Sequence, residues 1–233
     1  MDLMNIIKID GVTGCYPEQI DGTAEWYYCK DSKETFCDLY EAEEIIKSGE
    51  NFAGMSCHLI HFPEGTVHSP FELKENIYIE SPVWDNGNLF FLSVDFCKQV
   101  IQIKSYFPHE RRLETLKELP LDVVEDCYNL GLETSPLMLY RQANDNIFEI
   151  VWPESKKIDI GQTEGLLFRD GEDLYFSEWY ENPEYGENVI IRDLNTGKIK
   201  EKFGGYLRKL PNGVYWKVQD TNFNLLSGLN EKY

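Results

Sequence analysis

Gly165-Leu166-Leu167-Phe168-Arg169-Asp170-Gly171-Glu172-Asp173-Leu174-Tyr175-Phe176, followed by Val189-Ile190-Ile191-Arg192-Asp193-Leu194-Asn195-Thr196-Gly197-Lys198-Ile199, is the stretch that decides the fold. Apolar and aromatic triplets flank Asp170-Gly171, and Asp-Gly is a pair that tolerates the positive φ a tight hairpin turn needs. The second turn, Asp193 to Lys198, separates Val189-Ile190-Ile191 from Ile199 to Phe203, with Gly197 able to take the left-handed conformation that closes it. Gly165 to Gly204 therefore reads as one antiparallel meander, with the glycines of Gly204-Gly205 marking the end of its last strand.

Working outward, the same pattern recurs. Asn86-Gly87 lies between Pro82-Val83-Trp84 and Leu89 to Leu92, and Asn212-Gly213 between Tyr206-Leu207 and Val214-Tyr215-Trp216. A looser copy places Ala143 to Asn146 between Leu137 to Tyr140 and Ile147-Phe148, and a fifth hairpin is expected at Lys30 to Lys33, between Trp26-Tyr27-Tyr28 and Thr35-Phe36. Aligned on the residues opening each second strand (Leu89, Ile147, Leu174, Val214), the copies stand 58, 27 and 40 residues apart. The mean, about 42, matches the ~40–50 residues of a four-stranded propeller blade.

The unit of aromatic strand, Asp-Gly or Asn-Gly turn, aromatic strand and Asp193 to Lys198 turn resembles the β-propeller repeats of the WD40 and quinoprotein type, best over Gly165 to Gly204 and more weakly over Glu80 to Phe203. The resemblance implies a fold and carries over no functional residue, because propellers host unrelated functions. The expected architecture is all-β: one domain over residues 1–233, a small propeller of about five four-stranded blades, with a β-sandwich or an open twisted sheet of hairpins as the alternative. Two stretches depart from strand pattern. Asp38 to Gly49 reads as a short helix, acidic early and closed by Lys47 and Gly49, and His109 to Asp126 as a long connection or edge strand with a helical turn.

Composition sets the outer limits. The chain has 233 residues, enough to bury roughly 70% of its unfolded surface without staples. Its net charge of −19 repels polyanions, so nucleic acid is not an expected partner, and the four-residue run Leu89 to Leu92 is far below the ~20 that span a bilayer. The six cysteines form no Cys-x-x-Cys pair, and the N-terminus has no signal-peptide pattern, so the expectation is a cytoplasmic chain with free thiols.

Two groups of residues could carry a site. His58, His61 and His68 are three of the four histidines. A turn at Pro63 to Thr66 would set His61 opposite His68, close enough to share a divalent ion such as zinc, with Cys57 four residues too far along the strand to join. In Glu178-Trp179-Tyr180-Glu181-Asn182-Pro183-Glu184-Tyr185-Gly186-Glu187, four carboxylates interleave with three aromatics. Ring faces stack on sugars or cations and carboxylates accept from hydroxyls, so Glu178, Trp179, Tyr180, Glu181, Glu184 and Tyr185 are the candidate binding residues, with calcium as a second candidate ion. The chain shows no phosphate-cradling glycine loop and no nucleophile elbow. The reading is a non-enzymatic binding or interaction module for a protein or carbohydrate, using loops at one propeller face and needing no cofactor. The alternative is a carbohydrate-active hydrolase with paired carboxylates in the central channel.

Overall fold

A computed structural model describes residues 6–12, 16–32, 38–143, 146–182, 184–210 and 213–219. Cys15 and Cys37, the turn residues Asn144, Asp145 and Asn212, and the tail from Asp220 lie outside them. The chain groups into two compact units, Met1–Leu132 and Glu133–Tyr233.

The first unit begins with a four-stranded antiparallel sheet in chain order, β1 (Glu18–Gln19), β2 (Trp26–Ser32), β3 (Met55–His61) and β4 (Thr66–His68). Of the hairpin turn expected at Lys30 to Lys33, Lys30, Asp31 and Ser32 are strand instead: β2 runs on to Ser32 and pairs along its whole length with β3, while Lys33, Thr35 and Phe36 lie outside the described residues. Between β2 and β3 comes helix α1 (Leu39–Lys47). Asp38 caps it, accepting from the Glu41 backbone N–H while the Glu41 carboxylate accepts from the Asp38 N–H, and Gly49 follows at φ +87°. The helix is tied down by Glu43, whose buried carboxylate accepts from the Cys127 N–H at 3.0 Å.

The second sheet holds β5 (Ile77–Ile79), β6 (Val83–Asp85), β7 (Asn88–Asp95), β8 (Val100–Phe107) and β9 (Arg112–Pro120). β5 and β6 both pair with β7, as one strand interrupted near Pro82, which has no N–H to give. Asn86 (φ +47°) and Gly87 (φ +85°) form the expected hairpin tip. β9 is the edge strand expected from the charged stretch, followed by a 3₁₀ turn at Leu121–Val123. Ile20, Trp26, Leu59, Ile79, Leu89, Phe91 and Tyr106 pack into one core within this unit.

The third sheet is β10 (Leu130–Glu133), β11 (Met138–Gln142), β12 (Ile147–Trp152) and β13 (Lys156–Asp159). The fourth is β14 (Glu164–Asp170), β15 (Asp173–Tyr180), β16 (Gly186–Asp193), β17 (Ile199–Lys209) and β18 (Tyr215–Gln219). Phe148, Ile150, Leu174, Phe176 and Ile190 are among the buried residues that join strands of both these sheets in a core within the second unit. Asp170 pairs with Asp173, so the hairpin tip is Gly171-Glu172, one residue later than the Asp-Gly pattern suggests. The Asp193 turn closes as expected: the Thr196 N–H and hydroxyl both donate to the Asp193 carboxylate, and Gly197 takes φ +69°.

Four consecutive antiparallel meanders are the blade series of a β-propeller, with four blades rather than five. A sandwich or a single open sheet gives way to four separate sheets. The fifth blade disappears for two reasons. Leu174, in β15, and Val214, directly before β18, were counted as openings of successive repeats but belong to the same sheet, and α1 with its flanking connections occupies chain that the count assigned to strands. The uneven spacing of the copies has the same origin: the hairpins they mark sit at different places within their sheets.

Candidate ligand-binding groove

Register decides the fate of the histidine pair. The turn closes with the Gly65 N–H donating to the His61 carbonyl at 2.8 Å, so Thr66 stands opposite His61 and His68 stands opposite Leu59, two residues from the expected pairing. Both imidazoles instead contact the buried Trp26 ring, at centroid distances of 4.7 and 5.4 Å. His61 Nδ1 bonds Glu64 at 2.8 Å, and His68 Nδ1 bonds the Tyr106 hydroxyl at 2.9 Å. Cys57 is fully buried in the core. Among the described residues no three His, Cys, Asp or Glu side chains are placed to hold a metal ion.

The 178–187 stretch is partly strand. Glu178 pairs with Asn188, Trp179 with Glu187 and Tyr180 with Gly186, leaving a loop of five residues in which Pro183 lies outside the described set. The six candidate residues separate. Glu178 is bound internally: Lys202 Nζ lies 2.5 Å away and Asn188 Nδ2 donates at 2.7 Å. Partial burial opposes its charge, but these two partners outweigh that and hold its carboxyl below the ordinary range. Trp179, 48% exposed, is on the opposite face of β15 from Tyr180, and Glu181 and Glu184 are exposed on the loop.

Tyr180 and Tyr185 do meet. They line a groove of about 570 Å³ together with Gly186, Glu187, Gly205, Tyr206, Val218 and Gln219. Gly186 carries no Cβ because the Tyr180 ring fills that space. Glu187 accepts from the Tyr185 hydroxyl at 2.8 Å, which orients that ring.

The far wall comes from β17 and β18, which the sequence reads as a hairpin but not as part of a site. Gly204-Gly205 is not a strand end. It lies inside β17, whose first half pairs with β16 and whose second half, Gly205 to Lys209, pairs with β18. Gly205 takes φ +116°, and a Cβ there would overlap the Val218 carbonyl, so the bend needs glycine. Tyr215 stacks on Phe168 (centroids 4.0 Å apart), and Lys217 lies 3.6 Å from the Phe203 ring centroid while pairing with Glu201 at 3.3 Å. With Tyr215 and Lys217 turned inward, strand alternation turns Trp216 and Val218 outward, beside their cross-strand partners Arg208 and Tyr206. Trp216, Tyr206 and Val218 are 59%, 45% and 40% exposed. The advance signals for this wall were the hairpin pattern around Asn212-Gly213 and the double glycine followed by alternating aromatics.

No family model matches the chain, and no curated protein matches it. Among solved structures it is similar to a chain of the nidogen/laminin complex, at 18% identity over 81% of this chain and 64% of that one, TM-score 0.42. It is similar to a chain of the mitotic checkpoint complex, at 14% identity over 87% and 60%, TM-score 0.43. It is also similar to TolB from Acinetobacter baumannii, at 11% identity over 69% and 45%, TM-score 0.40. The chain thus spans less than two thirds of each of these three.

Proposed function

We propose that the chain is a non-enzymatic recognition module and that the tyrosine-lined groove of the fourth sheet is its binding surface for a protein or carbohydrate. The observation that carries this reading is the convergence of Tyr180, Tyr185 and Tyr206 on one groove whose glycines leave the backbone approachable. Its volume is within the ~300–1,000 Å³ usual for ligand sites. Rigid amphipathic rings present contact area at a low entropic cost.

The hydrolase alternative needs two carboxyls facing one pocket, one of them an available acid. The groove offers Glu187 alone. The buried carboxylates among the described residues are committed to cations elsewhere: Glu43 to Lys47, Asp95 to Lys98, Glu149 to Lys157 and Arg141, and Glu164 to Arg192. For Asp95, burial raises the pKa, but hydrogen bonds from Lys98 and its charge more than offset that and hold it below the ordinary range, the wrong direction for a general acid. We also read the chain as cytoplasmic, supported by the free thiols of Cys97 and Cys127 among the described residues.

The test is a ¹⁵N-labelled sample titrated with panels of oligosaccharides and of extended peptides. Shifts are expected at Tyr180, Tyr185, Tyr206 and Val218, and to vanish in Tyr206→Ala. A ligand that shifts only residues of the first unit would remove the groove from consideration.

A further inference from the structure

We propose that the ligand of this groove is an extended, proline-rich, basic segment of a partner protein; the inference rests on the groove being the binding surface. Three observations carry it.

The lining is rich in flat ring faces and open backbone. Three of its eight residues are tyrosines, two are glycines and one is valine, beside Gln219 and a single carboxylate that already accepts from Tyr185. A pyrrolidine ring lies on such a flat face, and the tyrosine hydroxyls and the Gln219 amide can bond the carbonyls of an extended chain, which has no internal hydrogen bonds.

The aromatic surface continues beyond the groove in one direction. Tyr206 lies opposite Val218 and Arg208 opposite Trp216, so Tyr206 and Trp216 are diagonal neighbours on the outward face of the β17–β18 ribbon. Such diagonals stand ~7–8 Å apart. A polyproline II chain repeats every three residues, or roughly 9 Å, and long side chains close the difference. This is the ridge-and-slot arrangement on which such chains dock, and the stacked, ion-paired underside of the ribbon holds the ridges in place before a ligand arrives.

Charge selects the sequence around the prolines. Glu181 and Glu184 are exposed on the loop beside the groove, Glu187 lines it, and the chain carries −19 overall. A Lys- or Arg-bearing segment is drawn to this end, and an acidic one is repelled.

Fluorescence anisotropy of the intact chain with labelled peptides of repeated Pro-Pro-Arg, Ala-Ala-Arg and Pro-Pro-Glu tests this, alongside an oligosaccharide panel read by calorimetry. Saturable binding of Pro-Pro-Arg is expected, weakened roughly ten-fold or more by either peptide change and by Tyr206→Ala or Trp216→Ala. Binding should also fall with added salt. Equal binding of Ala-Ala-Arg would overturn the proline element and leave nonspecific charge attraction. Oligosaccharide binding at Tyr206 without peptide binding would overturn the peptide while keeping the groove. No binding of any probe by a folded sample would overturn both. Circular dichroism of each variant separates loss of binding from loss of fold.

Discussion

Glu164 is buried at the start of β14, and its two oxygens receive the Nε and Nη2 of Arg192 at 2.8 and 2.6 Å, while the Gly161 N–H donates to one of them at 2.9 Å. Arg192 also donates to the Gly197 carbonyl at 2.8 Å, so one bidentate pair ties β14 to the β16–β17 turn. Glu164→Ala leaves a guanidinium with little access to water and no counter-charge, and should cost ~3–5 kcal/mol in denaturant unfolding. A loss under ~1 kcal/mol would refute this tie. His68 behaves differently. Burial, then the charges of Arg111 and His61, hold its pKa below the ordinary imidazole value, with Nδ1 engaged by Tyr106. The unfolded chain therefore takes up a proton first as pH falls. The contribution of His68 is complete above ~6.5 and is lost progressively below it. His68→Phe should flatten the fall in stability between about pH 7 and 5; an unchanged slope would show that other groups cause it.

At the scale of elements, α1 and the β17–β18 ribbon contrast. The bounds of α1 were legible because its acidic start and the Lys47 and Gly49 that close it act within a few residues of each other, whereas the capping box of Asp38 and Glu41 came from the structure. Asp38→Ala should lower stability by about 1 kcal/mol, measured by thermal unfolding. The hairpin of the ribbon was legible, but its bend and its hold on the sheet were not. Its bend depends on Gly205 meeting the Val218 carbonyl, and its hold on the sheet depends on Tyr215 meeting Phe168, a partner 47 positions back in the chain. Tyr215→Ala should speed amide exchange across β18 more than across β15 and β16. Uniform acceleration across the sheet would mean that the ribbon is not a separable element.

For the whole molecule, −19 charges on 233 residues oppose compaction. Raising ionic strength from about 10 to 150 mM shortens the screening length from ~30 to ~8 Å and should raise Tm. A Tm that falls would mean that the surface pairs, such as Lys217–Glu201 at 3.3 Å, outweigh the net repulsion.

The sequence by itself determined the all-β class, most hairpin positions, the short helix and the Asp193 turn. Each depends on φ preferences or periodicity within about ten residues. Only the tertiary structure decided the rest. One loop closure moved His68 from His61 to Leu59, hairpins at unequal positions within their sheets hid a four-blade series, and Tyr180 and Tyr185 became a groove when β17 bent to bring Tyr206 and Val218 beside them. Local chemistry sets how a strand turns; which strand it then meets, and in what register, is set by packing between residues far apart in the chain.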